Sequence, residues 1–182
     1  MRWEVLASEV MYRCGIFSVR RDRSRSVRSG VTHDFHVIEA GDWVNVVPLT
    51  ADRCVVMVRQ FRHGIRDLTL EVPAGLVDAT DSSPAVAARR ELREETGYVS
   101  RDLVPLGVVH PNPAIMNNRC HMFVAFDVEI DGAPQWDGTE ELEVELVELD
   151  RVAELIRSGA VSNALTLVAF QLLQLKPRPP AT

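Results

Sequence analysis

Cysteine is scarce: the chain holds three, Cys14, Cys54 and Cys120, and none belongs to a CxxC pair. Such a scatter cannot supply a disulfide framework, so the thiols are expected to be reduced and structural. Long apolar runs are also missing. None approaches the ~20 residues that span a bilayer, and the longest candidate, ALTLVAFQLLQL, is interrupted by Thr166, Gln171 and Gln174 and reads as a packed amphipathic helix. In MRWEVLASEV charged residues interrupt the apolar ones, so neither a secretory apolar region nor a cleavage site is visible, and the cytoplasm is the expected location. Positive charge is in deficit, with 20 Lys and Arg against 26 Asp and Glu and a net charge of −6. That balance argues against a protein that holds nucleic acid through its phosphates. A local basic run, VRRDRSRSVR from Val19 to Arg28, is either a solvated strand face or a polyanion patch. No internal repeat is present, and His33, His36, His63, His110 and His121 show no metal-ligand spacing.

What is there fits one well-buried domain in 182 residues, 46% of them hydrophobic, with a mean hydropathy of −0.02. WEVLASEVMY, IFSVRRDRSRSV and VTHDFHVIEA read as three strands of an N-terminal module over 1–40. DWVNVVPLT and CVVMVRQF, separated by ADR, read as a hairpin of buried strands, and LTLEVPAG as a further strand running to Gly75. Ser83 followed by Pro84 marks a helix start, and Gly97 its left-handed end. LVPLGVV and HMFVAFDVEI are expected strands around the irregular HPNPAIMNNRC. LEVELVEL adds a last strand before helices over Asp150–Ser158 and Val161–Leu175. Residues 177–182 are expected to form a disordered tail after a core domain over 41–176. Strands interleaved with helices predict a mixed α/β layered domain with helices on both sheet faces.

The stretch ARRELREETGY poses the chemical question. On a helix from Pro84 to Thr96, Glu91, Glu94 and Glu95 fall within an arc of about 100°. Such pairs repel by about a few tenths of a kcal/mol each. Ala85, Ala88 and Leu92 form the expected buried stripe, with the glutamates on another face. Arg90 is placed to pair with Glu94, yet a surplus of negative charge remains. The helix is either laced with solvated ion pairs or a cation shelf.

EVPAGLVDATDSSPAVAARRELREETGY resembles the Nudix box, in which a Gly is followed after a spacer by a Glu and then by Arg-Glu-apolar-x-Glu-Glu-x-Gly-apolar. Gly75, Arg90, Glu91, Leu92, Glu94, Glu95, Gly97 and Tyr98 match. The family's spacer glutamate is replaced by Asp81, and the loop from there to Arg90 is one residue longer than usual. The resemblance implies a Nudix α/β/α sandwich with a mixed sheet, alongside the small N-terminal antiparallel β-sheet module. It further implies that Glu91, Glu94 and Glu95, with the carbonyl of Ala74, hold Mg2+, with Mn2+ as a substitute, and that Arg90 orients neighbouring carboxylates. Hard divalent cations take oxygen ligands and share them with substrate phosphates, and a metal-bound water loses its proton near neutral pH.

VRQFRHG, LEVPAG and SNALTLVAFQLLQL look like the ADP-ribose pyrophosphatase and nucleoside-diphosphate-sugar hydrolase branch. In that branch Arg62 maps to a diphosphate contact and Glu71 joins it at the substrate. The general base is expected in WDGTEELEVELV, where Asp137, Glu140 and Glu141 are available and Glu140 aligns best, as base or further metal ligand. Trp43 is a candidate for base stacking, as is Trp3, although in strand-like segments a tryptophan is more often a core residue than a nucleobase platform. Asn118 and Arg119 either bind sugar or phosphate or stitch an irregular loop, in a stretch that departs from the ADP-ribose type. A homodimer through the N-terminal sheet is implied by the resemblance. The expected reaction is Mg2+-dependent cleavage of a nucleoside diphosphate sugar, such as ADP-ribose or GDP-mannose, to a nucleoside monophosphate and a sugar phosphate. Cleavage of another adduct (a dinucleotide, coenzyme A or an RNA 5′ end) and ligand sensing without catalysis are the alternatives.

Overall fold

The computed structural model describes residues 2–136 and 141–176; Met1, 137–140 and 177–182 lie outside the described residues, and with them the tail, Asp137 and Glu140. The chain divides into two compact units, Met1–Asp42 with His110–Arg119, and Trp43–Val109 with Cys120–Thr182.

In the first unit, strands β1 (Trp3–Arg13), β2 (Phe17–Ser26) and β3 (Thr32–Ala40) form an antiparallel sheet in that order. The basic run lies on the central strand, where opposite charges on adjacent strands can meet across the ladder. Arg21 pairs with Glu9 at 2.8 Å, Arg25 with Glu4 at 2.6 Å, and Arg20 with both Asp22 and Glu39. The arginines therefore make an ion-paired strand face. The segment His110–Arg119 joins this unit through Ile38, whose N–H donates to the Ile115 carbonyl at 2.7 Å while its own carbonyl accepts from Asn117 at 3.2 Å.

In the second unit follow β4 (Trp43–Pro48), β5 (Cys54–Arg62), β6 (Asp67–Glu71), β7 (Ala74–Leu76), α1 (Pro84–Thr96), β8 (Tyr98–Val99), β9 (Asp102–Val109), β10 (Cys120–Phe126), β11 (Glu129–Ile130), β12 (Leu142–Glu148), α2 (Val152–Arg157) and α3 (Ala164–Leu175). One sheet is mixed, in the order β7-β4-β10-β9 with β4 and β10 parallel; a second runs β12-β5-β6, and β11 pairs with β8. Alternate strand residues point to opposite sheet faces. Val44, Val46, Phe123 and Ala125 pack with Ala87, Ala88 and Leu92 of α1, whereas Val47, Met122 and Val124 pack with Ala169 and Phe170 of α3. Helices thus cover both faces, the expected α/β/α layering. Among the described residues no helix is long and apolar enough to cross a membrane.

Four expectations are corrected. The hairpin of DWVNVVPLT and CVVMVRQF reduces to one bridge, Leu49 with Val55. Val44–Pro48 and Val55–Val58 are buried on both faces, and each strand gains two other neighbours, β7 and β10 for β4, β6 and β12 for β5. LTLEVPAG is two strands, because Pro73 has no N–H to continue a ladder; β6 pairs with β5 and β7 crosses to β4. HMFVAFDVEI breaks at Asp127, which has a left-handed φ of 49°. The last helix starts at Ala164 rather than Val161, because the Asn163 side chain caps it by accepting from the Thr166 N–H at 2.9 Å.

Candidate active site

Helix α1 is set as its sequence predicts. The Ser83 hydroxyl accepts from the Val86 N–H at 3.3 Å, Pro84 opens the first turn, and Gly97 closes the last at φ 75° with its N–H on the Arg93 carbonyl. A side chain at Gly97 would also strike the carbonyl oxygen of Gly132, 2.3 Å from the position of its Cβ.

The glutamates are less solvated than a separate face implies. Glu91 and Glu95 are only 9% and 3% exposed, beside the buried Ala87, Ala88 and Leu92, with Ala85 half-buried. β7 passes over this face of the helix. Gly75 has no side chain there, and a Cβ would lie 2.0 Å from the Glu91 carboxylate. The Ala74 N–H donates to Glu95 Oε2 at 3.1 Å. Glu94 is the more exposed member, its side chain 40% accessible.

Arg90 is the hub of the cluster. Its Nη1 donates to Glu91 and Glu94, each at 2.9 Å, while its Nη2 reaches Asp81 at 2.9 Å and the Leu76 carbonyl at 3.0 Å. The hydrogen bond from Arg90 holds the Asp81 carboxyl below its ordinary range. The same pairing, with Asp81 first, raises the Arg90 guanidinium above its ordinary value. Asp81, the residue that departs from the family pattern, is thereby tied to the glutamate helix across the longer loop.

Arg90 faces four carboxylates, Asp78, Asp81, Glu91 and Glu94, and the buried Glu95 stands on the same helix. Hard oxygen donors in surplus, two of them buried, fit a divalent cation. Among the described residues no three acidic, His or Cys side chains already converge as a finished metal site. Arg90 bridges Glu91 and Glu94, which holds the two carboxylates together on the helix.

Ala74 and Gly75 also wall a cavity of about 370 Å3, lined further by Trp43, Asn45, Arg62, Glu71, Leu76, Asn163 and Leu165. Arg62 lies at the end of β5 and grips Glu71 of β6 with a two-bond fork, Nε to Oε1 at 2.9 Å and Nη2 to Oε2 at 2.8 Å. Glu71 is 1% exposed. Burial pushes its carboxyl up, but hydrogen bonds from Arg62, Thr69 and Asn163 outweigh this and leave it below its ordinary range. Trp43 is half-buried, lining the cavity with part of its surface and packing on the α3-side core with the rest.

Asn118 and Arg119 lie in the other unit, where they hold the Gly41–Asp42 turn. Asn118 Nδ2 donates to the Gly41 carbonyl at 3.1 Å, and Arg119 pairs with Asp42 at 2.8 Å. Sequence reasoning missed two features. Asn163 enters the cavity, and its only signal is a capping residue type before an apolar run. The segment before residue 137 docks on the last turn of α1, with the Gln135 N–H on the Glu94 carbonyl at 2.8 Å and the Trp136 indole N–H on the Glu95 carbonyl at 3.0 Å. These are helix-end carbonyls without intrahelical partners, so the capping secures the turn that carries the glutamates.

The family model described as the NUDIX domain matches residues 41–166. The chain belongs to the Nudix family. Relatives include the ADP-ribose pyrophosphatase of Bacillus subtilis, 33% identical over 134 residues, covering 73% of this chain and 72% of that protein. The GDP-mannose pyrophosphatase of Cronobacter sakazakii is 29% identical over 168 residues, covering 87% of each. A crystal structure of an ADP compounds hydrolase superposes with a TM-score of 0.84 at 23% identity, over 96% of this chain and 94% of that one, and so shares the Nudix fold.

Proposed function

We propose that this Nudix enzyme hydrolyses the pyrophosphate bond of a nucleoside diphosphate sugar of the ADP-ribose or GDP-mannose type, giving a nucleoside monophosphate and a sugar phosphate. One observation carries the reading: Ala74 and Gly75, against which Glu95 and Glu91 are set, are also the wall of the cavity that Arg62 lines. A diphosphate in that cavity meets a guanidinium on one side and the carboxylate helix on the other. The names of the two pyrophosphatase relatives support the substrate class.

Glu91, Glu94, Glu95 and the Ala74 carbonyl would hold Mg2+, or Mn2+ in its place. A divalent cation held by these residues would supply charge screening for the phosphates and a more acidic water near neutral pH. Arg62, whose Nε and Nη2 grip Glu71, presents the opposite, Nη1–Nη2 edge of its planar guanidinium to a phosphate oxygen. Arg90 keeps the carboxylates oriented, Trp43 offers an aromatic edge to the base, and Glu140, outside the described residues, is assigned the proton of the attacking water. Charge developing on the equatorial and leaving oxygens is stabilised electrostatically rather than covalently.

The enzyme is further proposed to be a cytoplasmic homodimer joined through β1. Every residue of that strand is exposed, including Trp3, Leu6, Met11 and Tyr12, a larger apolar surface than scattered exposed side chains present. Sedimentation equilibrium tests the dimer, with Leu6→Arg expected to give monomers. Product analysis tests the activity: AMP or GMP with the matching sugar phosphate is the expected pair, whereas turnover of dinucleotides or coenzyme A alone moves the enzyme to another substrate.

A further inference from the structure

Glu71 is saturated. Its Oε1 accepts from Arg62 Nε at 2.9 Å and Thr69 Oγ1 at 2.5 Å, and its Oε2 from Arg62 Nη2 at 2.8 Å and Asn163 Nδ2 at 2.9 Å. A carboxylate offers about four acceptor directions, so this one has no direction left for substrate and acts on the site through its donors. Thr69 is a near neighbour on β6, whereas Asn163 comes from a distant part of the chain and is anchored by its other end: its Oδ1 accepts from the Thr166 N–H at 2.9 Å as the cap of α3. Thr166 is fully buried, and its hydroxyl accepts from the Val72 N–H at 3.3 Å, next to Glu71.

Only a side-chain amide can perform both tasks at position 163. The reversed amide would set its oxygen against the Glu71 carboxylate and its N–H groups against the Thr166 N–H. Aspartate or serine would keep the cap, but aspartate has no donor for Glu71, and the serine hydroxyl, one bond shorter and drawn to the Thr166 N–H, lacks the second terminal atom with which the amide reaches Glu71.

We propose that Asn163 is a positioning residue that, through Glu71, fixes the plane of the Arg62 guanidinium in the cavity, so that its outer, Nη1–Nη2 edge meets the diphosphate already oriented. The inference rests on the assignment of Arg62 to the diphosphate. The Arg62 side chain is 41% exposed while that of Glu71 is 1% exposed; a long, solvated side chain is held by a buried anchor. Much of the rotamer freedom of an unrestrained arginine is thereby lost before substrate arrives.

The test is a double-mutant cycle with ADP-ribose and GDP-mannose as probes, Mg2+ present, using Asn163→Ser, Arg62→Lys and the pair. Asn163→Ser is expected to raise KM about five- to tenfold with kcat within about twofold, and to lower Tm by only a few degrees, because serine preserves the cap while Glu71 keeps three of its four bonds. In the Arg62→Lys background, where no planar fork is left to orient, the same substitution is expected to change KM by less than about twofold. Asn163→Asp keeps the cap, adds a like charge beside Glu71 and is expected to raise KM at least as much. Equal KM effects of Asn163→Ser in both backgrounds, or an effect on Tm alone, would overturn the positioning role while leaving Arg62 at the diphosphate. An unchanged KM in Arg62→Lys would overturn both, and a parent enzyme silent on both sugars would overturn the substrate assignment.

Discussion

The Glu91 carboxylate occupies the place where residue 75 would carry a Cβ: the hypothetical atom lies 2.0 Å from Oε1 and 2.5 Å from Oε2. Gly75 is thus a glycine by virtue of a neighbour, not of its backbone angle. The atoms in the way are the tip of a side chain, which can swing aside. Gly75→Ala is therefore expected to fold with a Tm within a few degrees of the parent, yet to displace Glu91 and raise the Mg2+ concentration for half-maximal rate by about tenfold or more. Metal titrations of the initial rate check this, and an unchanged Mg2+ requirement would separate Glu91 from the metal.

Glu95→Gln tests the buried carboxylate that β7 holds. The amide oxygen can still accept the Ala74 N–H, which donates to Glu95 Oε2 at 3.1 Å. The expected outcome is a native circular dichroism spectrum and a loss of kcat of about a hundredfold or more, since a neutral amide is a poorer ligand for a hard cation. Full turnover at saturating Mg2+ would remove Glu95 from the site.

Glu71 sets an acid limit on stability. Its folded carboxyl lies below its ordinary range, because the bonds from Arg62, Thr69 and Asn163 outweigh burial. A depressed carboxyl stabilises the fold above its unfolded pKa of about 4.3 and loses that contribution as pH falls through the folded value. Urea denaturation from about pH 7 to about pH 3 should show stability falling at the acid end. Glu71→Gln should be less stable near neutral pH and show a shallower acid decline. An identical decline in the two proteins would contradict the assignment.

Gly97→Ala combines two costs, a left-handed φ of 75° and a clash with the backbone oxygen of Gly132 at 2.3 Å, neither of which a flexible side chain can relieve. Destabilisation of about 2 kcal/mol or more is expected, measured as a shift in urea midpoint at unchanged slope.

Features set by near neighbours in the chain are legible in the sequence alone. Ser83, Pro84 and Gly97 bracket α1 at both ends, and the spacing of Glu91, Glu94 and Glu95 points to a carboxylate cluster. The three strands of the N-terminal sheet are likewise plain in the alternation and turns of Trp3–Ala40. Illegible are features set by residues far apart in sequence. β4 and β5 look like hairpin partners because they are adjacent apolar runs, yet β4 pairs with β10 and β7 and β5 with β12 and β6. The burial of Glu91 and Glu95 follows from β7 crossing the helix, which a helical wheel does not contain. Asn163 reaches Glu71 from 92 residues away, and only its capping role has a local signature.

The most direct test of the central claim is the initial rate of purified protein on ADP-ribose and GDP-mannose, with Mg2+ present or chelated, and products separated by chromatography. Metal-dependent release of AMP with ribose 5-phosphate, or of GMP with mannose 1-phosphate, is the predicted result. No release from either sugar while another phosphoanhydride substrate is cleaved, or binding of both without turnover, would contradict it.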